Sequence, residues 1–261
     1  MKFLALGDIE GNIRALEAAL DHSRQYGPFD GLYFTGDAIG RGENPDATLQ
    51  LLAEHNFIGV AGNHESDTLH LAEFAGPHQL NFRVDYAVAI HNVTRMNPSS
   101  LDLLRGFDPE PRRIPMGFLV HGNFGATAGF HQYAFTTTPE EATAAIEGLH
   151  KLIEPADALP EAHIVGLFAH SHKPSVIVGS KSSSTEIQRF EIYGPRELQN
   201  LRARVENPFG IDRTQSKGRS FVLFNPGPVD ASRYQTGHAH YGIIKRDPKG
   251  LTLRVMTTAY Q

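Results

Sequence analysis

The chain has 261 residues, 40% hydrophobic and 20% charged, with 24 Lys and Arg against 29 Asp and Glu, a formal charge of -5 and no cysteine. That size buries a large core, and the expected organisation is a single α/β domain over residues 1–261 with insertions. The absence of thiols excludes disulfides, zinc-thiolate sites and iron-sulfur clusters, so any metal must sit on carboxylates, amides and the 14 imidazoles. The acidic balance argues against a stable nucleic-acid partner or an anionic membrane. Met1 to Asp8 reaches charge too early for a signal peptide. No apolar run approaches the ~20 residues of a membrane span, so a cytoplasmic location is expected.

In chain order, residues 2 to 7 read as a strand and Asn12 to about Arg24 as a helix, with Ile13, Leu16 and Leu20 on one face. The pattern repeats as strand 31 to 35, a polar turn Gly36 to Pro45, helix 46 to 54, strand 57 to 60 and the turn Gly62-Asn63-His64-Glu65. Two consecutive βαβ units imply a parallel sheet with helices on its faces. Residues 80 to 104 read as helical, interrupted at Asn97-Pro98, where proline restarts a helix. After Pro115 the period shortens: 117 to 121, 164 to 168, 175 to 178, 219 to 224, 239 to 245 and 251 to 257 read as strands of a mixed or second sheet, with a helix over 139 to 150.

Two segments read as insertions, at about 122–138 and 179–218. The first, Gly122 to Thr138, carries Phe124, Phe130, His131, Tyr133 and Phe135 and is long for a connection. It reads as a functional lid whose aromatics stack on a nucleobase, or as a packed apolar loop. The second carries Arg189, Arg196, Arg202, Arg204, Arg213 and Lys217 and reads as a solvated hairpin and helix, with a basic flap as the alternative.

Five polar signatures each follow an apolar run of strand length: Gly7-Asp8-Ile9-Glu10-Gly11-Asn12, Gly36-Asp37, Gly62-Asn63-His64-Glu65, His121-Gly122 and His170-Ser171-His172. Side chains at the carboxyl ends of neighbouring strands converge on one crevice. Each signature has a plainer reading: Asp8 as a helix cap, Asp37 as a turn former, Asn63 as a residue at positive φ, His121 and His170 as hydrogen-bonded core histidines. In an extended segment His170 and His172 point the same way, with Ser171 opposed. Their recurrence at strand ends favours metal ligation. Two divalent ions about 3.5–4 Å apart suit phosphoester hydrolysis, where an anionic nucleophile must approach an anionic phosphorus centre.

The ordered set resembles the calcineurin-like metallophosphoesterase superfamily, with its G-D-x-H, G-D, G-N-H-D/E, histidine-glycine and G-H-x-H pattern, and its small bacterial and archaeal phosphodiesterase branch most closely. Gly36 to Pro45, Ala89 to Arg95 and Asn225-Pro226-Gly227-Pro228-Val229 add to the likeness. The resemblance implies a four-layer α/β/β/α sandwich of two mixed sheets. One metal would sit on Asp8, residue 10 and His172, a second on Asn63, His121 and His170, with Asp37 bridging. His64 would contact the phosphate and serve the leaving oxygen, and Asn12, Arg41 and Asn123 would contact substrate. Ala169 and Pro228 replace a usual glycine and serine.

Glu10 stands where the family carries a histidine. It lowers the formal charge of the site by one unit, which weakens attraction for phosphate and favours oxygen-preferring ions. The expected cofactors are two divalent metal ions, Mn²⁺ first, with Mg²⁺, Fe, Ni²⁺ and Zn²⁺ as alternatives. The expected activity is metal-dependent cleavage of a small phosphoester, nucleotide-derived esters being the first candidates, in a chain free to form a homo-oligomer. Two other readings are a catalytically weak or silent binding or regulatory relative, which Glu10 alone favours, and a protein Ser/Thr phosphatase.

Overall fold

β1 (Lys2–Leu6) alternates between two apolar environments, and that alternation sets the layering. Phe3 and Ala5 join an apolar cluster with Leu119, Val165, Leu167, Val176, Val178, Val222 and Phe224, whereas Leu4 and Leu6 join Leu16, Leu20, Leu49 and Leu52. In the computed structural model, the described residues are 1–74, 86–122, 124, 139–153, 163–180, 188–191, 202–205, 220–231, 237–247 and 250–261.

The chain runs through α1 (Ile13–Ser23), β2 (Gly31–Phe34), α2 (Pro45–Glu54), β3 (Ile58–Gly59), α3 (Asn63–Phe74), α4 (Tyr86–Val93) and α5 (Pro98–Arg105). It continues with β4 (Arg112–Ile114), β5 (Gly117–Leu119), α6 (Pro139–Lys151), β6 (His163–Leu167), β7 (Ser175–Ser180), β8 (Gln188–Glu191) and β9 (Arg202–Val205). The last strands are β10 (Ser220–Asn225), β11 (His238–Asp247) and β12 (Gly250–Ala259). Two six-stranded sheets result, ordered β3-β2-β1-β11-β12-β9 and β4-β5-β6-β10-β7-β8. Both are mixed. β1, β2 and β3 are mutually parallel, as are β5, β6 and β10, while the remaining pairs are antiparallel.

Three apolar layers separate four layers of structure. Between the sheets lie the inward residues of both, and outside the first sheet α1, α2 and α5 cover Leu4, Leu6, Phe34 and Ile243. Outside the second, α6 brings Ala142, Ala145, Ile146 and Leu149 onto Phe118, Ile164, Ile177 and Phe221. Each such aliphatic or aromatic side chain removed from water contributes roughly 1.5–3 kcal/mol. The expected α/β/β/α sandwich of two mixed sheets is therefore the observed fold.

Local signals explain most boundaries. Asn12 caps α1 by accepting from the Ala15 amide at 3.1 Å, and Asn97 caps α5 by accepting from Ser100 at 2.9 Å before a proline at the first helical position. Other elements depart from expectation. The turn at residues 62 to 65 is the start of the 12-residue helix α3. The 179–218 segment contributes β8 to the edge of one sheet and β9 to the edge of the other, so those residues extend the sandwich. Its arginine-bearing sequence suits edge strands. The rest of that segment and most of 122–138 lie outside the described residues. No helix among the described residues is long and apolar enough to cross a membrane.

Candidate metal centre

The two parallel triplets end side by side. Asp8, Asp37 and Asn63 follow β1, β2 and β3, and His121, His170 and Asn225 follow or end β5, β6 and β10. Asp8, Glu10, Asp37, His121, His170 and His172 are buried, with His170 the most open at 8%. Burying that many titratable groups in one place is costly unless they are paired or hold a metal.

The backbone is strained where these side chains leave it. Of the six non-glycine residues at positive φ among the described residues, five belong to this cluster: Asp8 (44°), Glu10 (59°), Asp37 (57°), His170 (63°) and His172 (54°). Left-handed conformations at such residues persist only where surrounding bonds over-determine them. The Asp8, Ile9, Glu10 and Gly11 amides accordingly donate to the carbonyls of Gly36, Asp37, Asp37 and Ala38. Across the crevice, Asn225 Nδ2 donates to the Ala169 carbonyl and Ser171 Oγ and braces the His170-Ser171-His172 turn. That turn is left-handed at both histidines, which corrects the extended segment expected from sequence, yet both imidazoles still enter the site.

His121 organises the tightest group. Its Nδ1–H donates to the Thr35 carbonyl at 2.8 Å, leaving Nε2 toward the centre. There Nε2 lies 3.1 Å from Asn63 Oδ1, 3.0 Å from His170 Nδ1 and 3.2 Å from Asp37 Oδ2. A Cβ on Gly36, whose φ is +96°, would sit 2.5 Å from His121 Nδ1, so glycine is required for both reasons. The second group is wider: His172 Nε2 is 3.7 Å from Asp8 Oδ1 and 3.4 Å from Glu10 Oε1. Glu10 Oε2 accepts the Arg41 amide at 3.2 Å and lies 3.5 Å from His64 Nε2, itself 4.0 Å from Asp37 Oδ2. A Cβ on Gly40 would meet Glu10 Oε2 at 2.1 Å, so the Gly40–Arg41 turn is shaped around this carboxylate.

Electrostatics follow this crowding. Burial pushes the Asp8 carboxyl up, against the pull of His172 and His121. Burial also opposes ionisation of Glu10 and Asp37, but His172 and His64 hold Glu10 well below the carboxylate range, and His121 and His64 hold Asp37 low. Burial disfavours charge on His64 and His121, yet Asp37 with its neighbouring carboxylates outweighs it and lifts them to about 10 and about 9. His170, pushed down to about 4 by burial and by His121, is held neutral.

The donor set fits divalent cations. Ligand atoms of Asp37, His121 and His170 lie within 4.8 Å of one another, as do those of Glu10, Asp37 and His64, so Asp37 is common to these two groups, while Asp8 and His172 join the second through Glu10 and each other. Asp8 Oδ2 is buried with no hydrogen-bond partner among the described residues, a costly state for a carboxylate oxygen that a cation would relieve. The plainer readings lose ground: α1 is capped by Asn12 rather than Asp8, and Asn63 opens a helix without positive φ.

The residues expected to contact substrate fare differently. Arg41 is exposed beside Glu10. Asn12 is engaged elsewhere: beyond its cap, its Nδ2 donates to Asp230 Oδ1 and Tyr260 Oη. Asn123 lies outside the described residues. Phe124 is buried against α6, so it is core, and Phe130, His131, Tyr133 and Phe135 lie outside the described residues. Sequence reasoning assigned no task to Glu65, whose buried carboxylate accepts three backbone amides, although its place in the Gly-Asn-His-Glu motif marked it.

The family model described as Calcineurin-like phosphoesterase matches residues 1–196. A relative from Methanocaldococcus jannaschii, the uncharacterized protein MJ0912, is 33% identical over 64 residues, 24% of this chain and 26% of that one, so the match spans about a quarter of the relative. The crystal structure of a metallophosphoesterase from Sphaerobacter thermophilus aligns over 100% of this chain and 90% of its own, at TM-score 0.65 and 20% identity. That of hypothetical protein PH1004 from Pyrococcus horikoshii OT3 covers 100% and 88%, at 0.63 and 13%. At these identities the two structures speak to the fold, and the fold is theirs. With a family model spanning residues 1–196 and the motif side chains gathered at adjoining strand ends, the chain belongs to the calcineurin-like phosphoesterase family.

Proposed function

We propose that the chain is a metal-dependent hydrolase that cleaves a small phosphoester at a dinuclear centre in the cytoplasm. Asp8, Glu10 and His172 would hold one ion, Asn63, His121 and His170 the other, and Asp37 would serve both. The observation that carries this reading is that Asp37 falls in two ligand-sized groups at once, one with His121 and His170 and one with Glu10 and His64. When bound, two divalent ions supply Lewis acidity toward phosphoryl oxygens and lower the pKa of water. Oxygen donors from Asp8, Glu10, Asp37 and Asn63 outweigh nitrogen donors, which favours Mn²⁺ or Mg²⁺ over Zn²⁺.

His64 has the catalytic part. It stands at the first turn of α3 with 13% of its side chain exposed, at the mouth of an otherwise closed cluster. Its Nε2 lies 3.5 Å from Glu10 Oε2 and 4.0 Å from Asp37 Oδ2, and from there it would give a proton to a departing alkoxide. Arg41, exposed on the Glu10 side, is placed to meet an anionic ester.

Elemental analysis of the purified chain after Mn²⁺ loading, paired with turnover of nitrophenyl phosphodiester and phosphomonoester, tests the proposal. Two ions per chain with hydrolysis are expected. A fully loaded chain inert toward both esters would favour the silent binding relative.

A further inference from the structure

Resting on the dinuclear reading, we propose that Glu65 is a positioning residue: its buried carboxylate locks the loop bearing Asp37 to the turn bearing Asn63 and His64.

The first amides of α3 need acceptors, and Gly62, immediately before it, has no side chain to offer. Glu65 Oε2 reaches back to the Gly62 amide at 2.6 Å, which is half of a capping box. An acceptor for a further amide comes from outside the helix, because Asp37 Oδ1, in the loop after β2, accepts the His64 amide at 3.0 Å. Glu65 then goes beyond capping. Oε2 also accepts the Asp37 amide at 2.8 Å and Oε1 the Ile39 amide at 3.0 Å. The two carboxylates thus interlock, each accepting an amide beside the other.

A helix cap alone needs only the Gly62 contact. The two additional bonds fix residues 37 and 39, and the other carboxylate oxygen of Asp37, Oδ2, approaches His121 Nε2 together with Asn63 Oδ1. The position calls for an acceptor-only group, since three N–H donors converge on a side chain with 0% exposure. A glutamine would turn an NH₂ toward at least one of them. Groups that orient ligands in this way typically set metal affinity by 10–100-fold when altered.

The test uses the full chain as wild type, Glu65→Gln and Glu65→Asp, with Mn²⁺ binding followed by the electron paramagnetic resonance of free Mn²⁺ and melting followed in chelator. Glu65→Gln is expected to melt cooperatively and to bind Mn²⁺ roughly 10–100-fold more weakly. Excess Mn²⁺ should recover turnover of a nitrophenyl phosphodiester with KM unchanged, because Glu65 does not reach the substrate, and any kcat still missing at full loading reports the turn that carries His64. Glu65→Asp, a carboxylate on a shorter stem, should fall between, and it carries the test if Glu65→Gln does not fold. Folded Glu65→Gln, or Glu65→Asp in its place, with wild-type Mn²⁺ affinity overturns the role. Wild type that binds no Mn²⁺ overturns the dinuclear reading and this role with it.

Discussion

The two halves of the centre are built to different tolerances. Around His121 the ligand atoms stand 3.0–3.2 Å apart, with the imidazole fixed by Thr35. Around Glu10 the separations are 3.4–3.7 Å, and Glu10 divides its two oxygens between His172 and His64. The tight half uses residue types the family carries, and the looser half holds the departure from it. A carboxylate has a longer, freer stem than an imidazole, so the Glu10 half is shaped by what packs around that stem: the Gly40–Arg41 turn on one side and His64 on the other.

Asp37→Asn should produce the largest effect, since it removes the one anion common to both halves. Loss of both ions and of turnover is expected by elemental analysis and nitrophenyl ester assay. Retention of one ion would show that Asp37 serves a single half. His64→Ala should separate chemistry from binding: kcat falls by roughly 10²–10⁴ while metal content stays at the wild-type level. Metal loss in that variant would place His64 among the ligands, consistent with its proximity to Glu10 and Asp37.

Glu10→His acts on the looser half alone. It raises the formal charge by one unit, so inorganic phosphate should bind more tightly and the basic-side activity should rise at lower pH, because a more positive site lowers the pKa of water further. In competition between Mn²⁺ and Zn²⁺, one of the two sites should shift toward Zn²⁺ and the other should not. A fully loaded variant that matches wild type in phosphate affinity, pH profile and metal competition would remove Glu10 from the ligand set.

How legible these halves were in the sequence depends on the range of the forces that form them. Strands β1 and β2 and helices α1, α5 and α6 announce themselves through apolar periodicity or local caps such as Asn12 and Asn97. The site residues stood out because each closes an apolar run. Helix α3 did not, for its sequence Asn63 to Phe74 has few apolar positions, and its start is secured partly by Glu65 and partly by Asp37, 27 residues from the His64 amide it accepts. The left-handed turn at His170 and His172 was hidden for the same reason, since Asn225 braces it from 54 and 56 residues away. Asn12 caps α1 locally, but the partners of its Nδ2, Asp230 and Tyr260, stand 218 and 248 residues on and could not be read from the sequence.

That last network gives the finest probe of the difference between the halves. The loop from Asp8 to Gly11 has φ of 44°, 59° and 75° at Asp8, Glu10 and Gly11, and one flank is zipped to the 36–38 carbonyls. On the other flank, the Asp230 amide donates to the Asp8 carbonyl at 3.0 Å, while Asn12 Nδ2 donates to Asp230 Oδ1 at 3.2 Å and to Tyr260 Oη at 2.9 Å. Tyr260→Phe removes two hydrogen bonds from this flank without touching a ligand, the 2.9 Å bond accepted from Asn12 Nδ2 and a long 3.5 Å bond donated to Asp230 Oδ1. The shorter one alone is worth about 0.5–1.5 kcal/mol, or roughly two- to tenfold in affinity if it is felt wholly at the ion on Asp8, Glu10 and His172. Stepwise Mn²⁺ titration should therefore show the weaker of two binding steps shifted and the stronger one, on the His121 side, unmoved. Equal shifts in both steps would mean that the shared Asp37 loop transmits strain across the centre, and that the two halves behave as one rigid unit.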